Sequence, residues 1–240
     1  MRKVLLTLLA VSLLASMAFA AMNDEAFIDL CGVGSAAEIE AVLKTGSYNL
    51  DEALGRASGK GNTEAVKVLL KAGASKESYA RALMRAATWG HLDIVKILAE
   101  AGADINAADK EGKTALIYAA ANERPETVRY LIENGAEINT KEKKKGMTAL
   151  MYAAPNKNAE IIKLLLENGA EVNAKANDGR TALIMAANKG EPEIIEVLLD
   201  FKADAKITMK YGDIALNFAR RNKKLEGSNA LKRLEAATNK

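Results

Sequence analysis

Apolar residues recur along this chain at two superposed spacings. Within short stretches they fall at i, i+3 and i+4, one face of an α-helix. Leu116, Ala119 and Ala120 form one such stripe, and Val128, Leu131 and Ile132 form the next. Over longer distances an apolar anchor is followed 19 residues later by a chain-reversal position. The pairs are Phe27/Gly46, Leu54/Gly73, Leu83/Gly102, Leu116/Gly135, Leu150/Gly169 and Leu183/Lys202. The later anchors recur every 33 or 34 residues, and Leu216 opens a seventh unit. A fixed period near that length denotes stacked copies of one supersecondary unit, not a single globular core.

The polar positions mark the ends of the elements. In the stretch Asp109–Thr140, Gly112 supplies a turn and Thr114 is placed to N-cap the helix that follows. The alanines of its buried stripe let a second helix approach closely. Pro125 suits the first turn of that second helix, where no N–H is needed. Asn134-Gly135 ends it, with glycine in the left-handed position. The residues after Ala136, through Ile138 and Asn139, are then an extended loop or hairpin.

Helix, turn, helix, glycine and hairpin at this period resemble the ankyrin repeat, from about residue 24 to 240. The family's Thr-Pro-Leu-His-x-Ala signature appears as Thr114-Ala115-Leu116-Ile117-Tyr118-Ala119. It recurs as Thr148-Ala149-Leu150-Met151-Tyr152-Ala153 and Thr181-Ala182-Leu183-Ile184-Met185-Ala186. The proline and histidine are absent from all three, which removes the hydrogen bonds that histidine usually makes. The second-helix ending is well kept in Ile94–Asp104 and Ile161–Glu171. The resemblance implies an all-α solenoid of about seven stacked helix-turn-helix units, with hairpin fingers in the later repeats. Approximate repeat bounds are 24–50, 51–78, 79–111, 112–145, 146–178, 179–211 and 212–240.

The repeats differ in an informative way. From reversal slot to next anchor is 14 residues between Gly102 and Leu116, but 8 between Gly46 and Leu54 and 10 between Gly73 and Leu83. The first two units therefore lack most of the hairpin and read as an N-terminal cap. Full fingers are expected at about 103–114, 136–148, 170–181 and 203–214. The second is the most basic, through Lys141-Glu142-Lys143-Lys144-Lys145, and carries one extra residue. Lys202 fills a glycine slot, which predicts local strain of ~1 kcal/mol. Leu231, Leu234 and Ala237 lie among lysines and arginines, a polar-faced C-terminal cap.

Residues 1–20 stand apart. Arg2 and Lys3 precede the apolar run Val4–Phe19, and Ala18-Phe19-Ala20 is a small-x-small cleavage site. The pattern is that of a secretory signal peptide; the run is short for a membrane span and lacks a basic stop-transfer flank. No later segment is apolar enough to cross a membrane. The whole chain has 34 Lys+Arg against 31 Asp+Glu, so losing Arg2 and Lys3 brings it close to neutrality. No overall field then argues for nucleic acid or a membrane surface. The single cysteine, Cys31, allows no internal disulfide and reads as buried in the first repeat; a lone thiol can also pair between molecules.

Catalytic chemistry finds little material. The only histidine, His91, sits in Gly90-His91-Leu92, a pair that in ankyrin repeats commonly opens the second helix. One His and one Cys make no zinc-type cluster. Glu191 and Glu193 flank Pro192 at a helix start, where they favour the helix dipole. Gly32-Val33-Gly34 reads as a turn between helices, not a phosphate loop. No Gly-x-Ser-x-Gly elbow is present. The expectation is a non-enzymatic protein with no cofactor, no metal and no catalytic residue.

What remains is a contact surface. In ankyrin repeats, partners usually touch the finger tips and the ends of the first helices, which line a groove. By the 19-residue frame those ends are Thr88/Trp89, Ala121/Asn122, Pro155/Asn156, Asn188/Lys189 and Arg221/Asn222. The asparagines either end helices or offer an amide ladder to an extended partner. Trp89 either anchors a partner or shields the core beneath fingerless units. Tyr118 and Tyr152 occupy a slot usually filled by apolar core residues. Lys143, Lys144 and Lys145 form a solvated tip or dock an acidic partner. The candidate partner-binding residues are thus Trp89, Asn122, Lys143, Lys144, Lys145, Asn156, Arg180, Asn188, Lys189 and Asn222. The expected function is an exported, monomeric protein-binding module, periplasmic or secreted. Alternatives are an accessory factor for a periplasmic oxidative-stress enzyme and a secreted effector acting on host proteins.

Overall fold

The computed structural model describes residues 22–239; the expected signal segment, residues 1–20, lies outside them. The described residues contain fourteen α-helices, one short 3-10 helix and no strand. They form two compact units, divided after Asp104. The first holds three helix pairs: α1 (Asp24–Val33) and α2 (Ala36–Leu43), α3 (Leu50–Lys60) and α4 (Thr63–Lys71), α5 (Lys76–Trp89) and α6 (Leu92–Glu100). The second holds four: α7 (Ala115–Ala121) and α8 (Pro125–Glu133), α9 (Ala149–Ala153) and α10 (Ala159–Glu167), α11 (Ala182–Lys189) and α12 (Pro192–Asp200), α13 (Ala215–Arg221) and α14 (Asn229–Asn239). The fold is all-α, built from repeated helix pairs.

In the first unit the connectors are short. Residues 44–49 and 72–75 join one pair to the next with no hairpin between. Side chains close the gaps instead. The Ser75 N–H and hydroxyl both donate to the Asp51 carboxylate at 2.7 Å, which holds that carboxyl below its usual pKa. Asn62 caps α4 and donates to the carbonyls of Cys31 and Gly34 in the preceding pair. His91 stands at the start of α6 without capping it; its ring lies over Gly61, where a Cβ would be 2.7 Å from Cε1. The first of the predicted reversals differs from expectation. Gly46 does not enter the left-handed region. Thr45 turns the chain by bonding Val42 through both its N–H and its hydroxyl, and Tyr48 stacks on Phe27 at 4.5 Å. Gly32 and Val33 likewise belong to the last turn of α1 rather than to a turn between helices.

The other reversal slots are left-handed. Gly73, Gly102, Gly135 and Gly169 have φ between 85° and 95°, and a Cβ there would meet nothing within 4 Å. Lys202 adopts φ 64° in the equivalent slot. Open space tolerates its side chain, while its backbone carries the strain that L-residues incur there.

In the second unit the fingers are hairpins without strands. Each closes by backbone bonds across its turn: the N–H groups of Asp109, Glu142, Ala176 and Met209 donate to the carbonyls of Lys113, Met147, Arg180 and Asp213 at 2.8 to 3.0 Å, and the glycine of each turn donates back to the carbonyl of the first residue. Successive fingers are zipped by Lys143 N–H to Glu111 O, Asn177 N–H to Lys145 O and Lys210 N–H to Asp178 O. Behind the fingers an asparagine clasps the next repeat. Asn106 donates to Gly135 O at 3.0 Å and accepts from Glu137 N–H at 2.8 Å. Asn139 repeats both bonds with Gly169 and Glu171, and Asn173 accepts from Asp204 N–H. Thr114, Thr148 and Thr181 cap α7, α9 and α11. At the end of the chain α14 buries Ala230 and Leu234 and keeps Glu235 and Arg233 in surface ion pairs with Arg220 and Asp200.

The core is set by close approach. The position four after each of the first six anchors is Cys31, Ser58, Ala87, Ala120, Ala154 and Ala187 in turn, all fully buried. Burial pushes the Cys31 thiol up to about 12, so at neutral pH it is an uncharged packing group. Ser58 is the misfit: its Oγ is buried without a hydrogen-bond partner. Replacing it by the alanine that later repeats carry removes that cost without opening a void. Ser58→Ala is expected to raise unfolding stability by about 1 kcal/mol, measured by chemical denaturation; a loss of stability would contradict the packing described.

Candidate functional site

The groove face of the second unit is defined by the position two residues after each anchor. That row reads Tyr118, Tyr152, Met185 and Phe218. Each residue lies half-buried at the base of a finger. The Tyr118 hydroxyl donates to Asp109 Oδ2 at 2.6 Å, and Asp109 Oδ1 accepts the N–H groups of Glu111 and Lys113. Burial and this bond push the Tyr118 phenol up to about 12. Burial by itself would raise the Asp109 carboxyl, but the Tyr118 hydroxyl, the two N–H groups and the Lys113 charge outweigh it and hold it below its usual range. Lys113 Nζ pairs with Glu111 at 2.8 Å and lies 5.8 Å from the ring centroids of both Tyr118 and Tyr152. Tyr152 packs with Met147 and Met151. These two tyrosines therefore bind finger to helix through a polar and cation–π network, beyond the apolar packing expected of them.

Further along the same row the groove opens. A pocket of about 420 Å³ is lined by the apolar Pro155, Ile184, Met185, Met209 and Phe218 and by the polar Asp178, Arg180, Asn188 and Lys189. Arg180 Nε is held by Asp178 Oδ2 at 2.7 Å, which fixes the guanidinium at the rim. Asn188 and Lys189 are exposed at the end of α11. The arrangement can enclose an apolar side chain and hold a polar chain beside it. Among the described residues no group of three His, Cys, Asp or Glu side chains is placed to hold a metal.

The structure thus brings Arg180, Asn188 and Lys189 together. The remaining asparagines of the row turn inward. Asn122 donates to Tyr118 O at 2.8 Å, Asn156 to Ala121 O at 3.0 Å, and Asn222 to Asn188 O at 2.8 Å. One N–H of each amide is spent on the chain's own backbone. Trp89 lies in the other unit, 60% exposed at the end of α5. Met209 and Phe218, and the 86% exposed Tyr211 at the fourth finger tip, were not singled out by sequence. The periodic row through Tyr118 and Tyr152 carries the signal for Phe218; Tyr211 has none beyond its place beside Gly212.

Family models describing ankyrin repeats match residues 17–109 and 105–176, and a second ankyrin-repeat model matches residues 165–219. The chain belongs to the ankyrin-repeat family. No curated protein matches it. Ankyrin repeats are protein–protein interaction modules and are generally non-enzymatic. Among the described residues no helix is long and apolar enough to cross a membrane.

One residue shapes the basic finger of this ankyrin protein. Glu142 is only 2% exposed, inside a run of lysines. Its carboxylate accepts the N–H groups of Lys144 at 2.7 Å, Lys145 at 2.6 Å and Met147 at 3.4 Å. The side chains of Lys143, Lys144 and Lys145 consequently splay outward from a fixed loop, which accommodates the extra residue. Burial opposes the charge on Glu142, but the three N–H groups and Lys113 outweigh it and keep its pKa below the usual value. A lowered carboxyl pKa contributes stability above the unfolded value and loses it as pH falls through the folded one. Glu142→Gln is expected to cost about 1–2 kcal/mol at neutral pH. The difference from the unaltered chain shrinks as pH drops below the ordinary carboxylate range. Denaturation curves across that range check it; a pH-independent difference would contradict a charged role.

Proposed function

We propose that this ankyrin-repeat protein is exported and binds an extended segment of another protein in the groove of its second unit, without catalysing a reaction. The observation that carries the reading is the pocket where finger and helix residues converge, with Arg180, Asn188 and Lys189 beside the apolar surface of Met185, Met209 and Phe218. A groove whose walls are fixed by finger-to-finger backbone bonds loses little entropy when a partner enters. Apolar contact supplies affinity there and the rim sets orientation. Lys143, Lys144 and Lys145 offer a second, cationic contact at a neighbouring finger tip. Export rests on the basic start, apolar run and small-x-small end of residues 1–20; in this reading the working protein acts in a periplasm or outside the cell, and acts as a monomer.

The test is a photoreactive amino acid placed at Lys189 in intact producing cells. The expected result is one dominant crosslinked protein, recovered with a mature chain that begins at Ala21. The same probe at Glu133, an exposed position at the end of α8, gives no such band. Arg180→Glu in the Lys189-probe chain reduces the yield by roughly tenfold, the effect of about 1.4 kcal/mol. Equal yields from Lys189 and Glu133 would overturn the binding assignment, and an uncleaved chain confined to the cytoplasm would overturn export.

A further inference from the structure

The first unit has no fingers to cover its groove row, and the row changes character accordingly. Two residues after the anchors Phe27, Leu54 and Leu83 stand Asp29, Arg56 and Arg85; six residues after them stand Val33, Lys60 and Trp89. The long side chains of this face lie across glycines in the first helix of the preceding pair. A Cβ on Gly32 would come within 3.3 Å of the Cγ atoms of both Arg56 and Lys60. One on Gly55 would be 3.2 Å from Arg85 Nη1, and one on Gly59 would be 3.9 Å from Trp89 Cδ1. The result is a cleft of about 250 Å³ lined by Gly55, Arg56, Gly59, Lys60, Arg85 and Trp89. Any larger residue at the glycines would fill or displace its walls.

Charge is unevenly distributed around this cleft. Arg56 pairs with Asp29 at 3.1 Å, while Arg81 and Arg85 share the single carboxylate of Glu52 at 3.3 and 3.1 Å. Lys60 makes no ion pair among the described residues. Four cations thus face two carboxylates. The rest of the unit is opposite in sign: from Met22 to Asp104 the chain has twelve acidic and nine basic residues, and setting aside these two carboxylates and four cations leaves ten acidic and five basic. A long polyanion would meet repulsion beyond the cleft, whereas a short acidic segment meets only its cations. Glu52 already engages both guanidinium groups, one oxygen to each, so this edge is arranged to meet carboxylates. The exposed indole of Trp89 adds an apolar wall beside them.

We propose that this cleft binds a short acidic peptide segment of a partner protein, its carboxylates on Lys60 and the Arg56–Arg85 edge and an apolar side chain against Trp89. The site is separate from the pocket of the second unit, and neither depends on the other.

Trp89 is the only tryptophan, so its emission reports on the cleft directly. The purified protein is titrated with the blocked peptide acetyl-Glu-Glu-Phe-Glu-Glu-amide, with the glutamine analogue as control. The expected result is a saturable change in emission with the acidic peptide and none with the analogue. Lys60→Glu, at an exposed position, weakens binding by roughly tenfold or more. Lys71→Glu makes the same charge change at an exposed residue beside a different pocket, lined by Glu40, Leu43 and Lys44. It changes binding less than about twofold. Circular dichroism checks that both variants fold. Absence of saturation, equal effects of the two substitutions, or tighter binding of a single-stranded oligonucleotide than of the peptide would overturn the proposal. None of these outcomes bears on the crosslink at Lys189.

Discussion

A helix pair of this length buries too little of its own surface to fold alone, so every repeat depends on how closely the next one approaches. Two features of the chain enforce that approach. Small residues four positions after each of the first six anchors leave the first helices free to pack tightly. In the second unit, Asn106, Asn139 and Asn173 reach from one finger to the backbone of the next reversal and fix the spacing. Both are nearest-neighbour interactions, and the remaining features are placed by them: finger zippering, the tyrosine row and the groove pocket.

The presence or absence of a finger decides what the groove row can be. Beneath a finger the row is covered on one side, and it carries Tyr118, Tyr152, Met185 and Phe218. Where connectors are short, the same positions face water and carry Asp29, Arg56 and Arg85. One repeat frame therefore yields two chemically unlike surfaces, an apolar pocket with a polar rim and a basic cleft with an indole wall. Carboxylates order the loops in both settings. Asp51 holds Ser75 in a fingerless connector, and Asp109 and Glu142 hold the turns of fingers.

Much of the fold is legible in the sequence because its determinants are local. The threonine caps, the prolines at helix starts and the glycines after second helices each act within a few residues of their own position. Lys202 is legible for the same reason, since its slot alone dictates a left-handed backbone. The site is less so. Glu142 looks like one charge in a lysine run, and only the folded loop shows three N–H groups converging on it. The row asparagines read as open donors, but Asn156 and Asn222 spend an N–H on carbonyls 34 or 35 residues away. Gly46 does not act as the reversal because Thr45 and Tyr48 supply the turn that glycine would have made. Arg56 and Lys60 carry no sequence signal of their own, because their placement depends on Gly32 in the first helix of the neighbouring pair.

The asparagine clasp has a consequence for how such a chain changes over generations. Asn139 receives from the repeat after it the same kind of groups that its own repeat offers to Asn106. A duplicated or deleted module therefore joins to its new neighbours through interchangeable fittings, without any new contact having to arise. Growth and loss in whole repeats are structurally neutral in the interior of the second unit, while a partial repeat would leave a clasp facing no carbonyl. The length of the groove, and with it the length of partner segment it can follow, is the property most free to vary in this architecture.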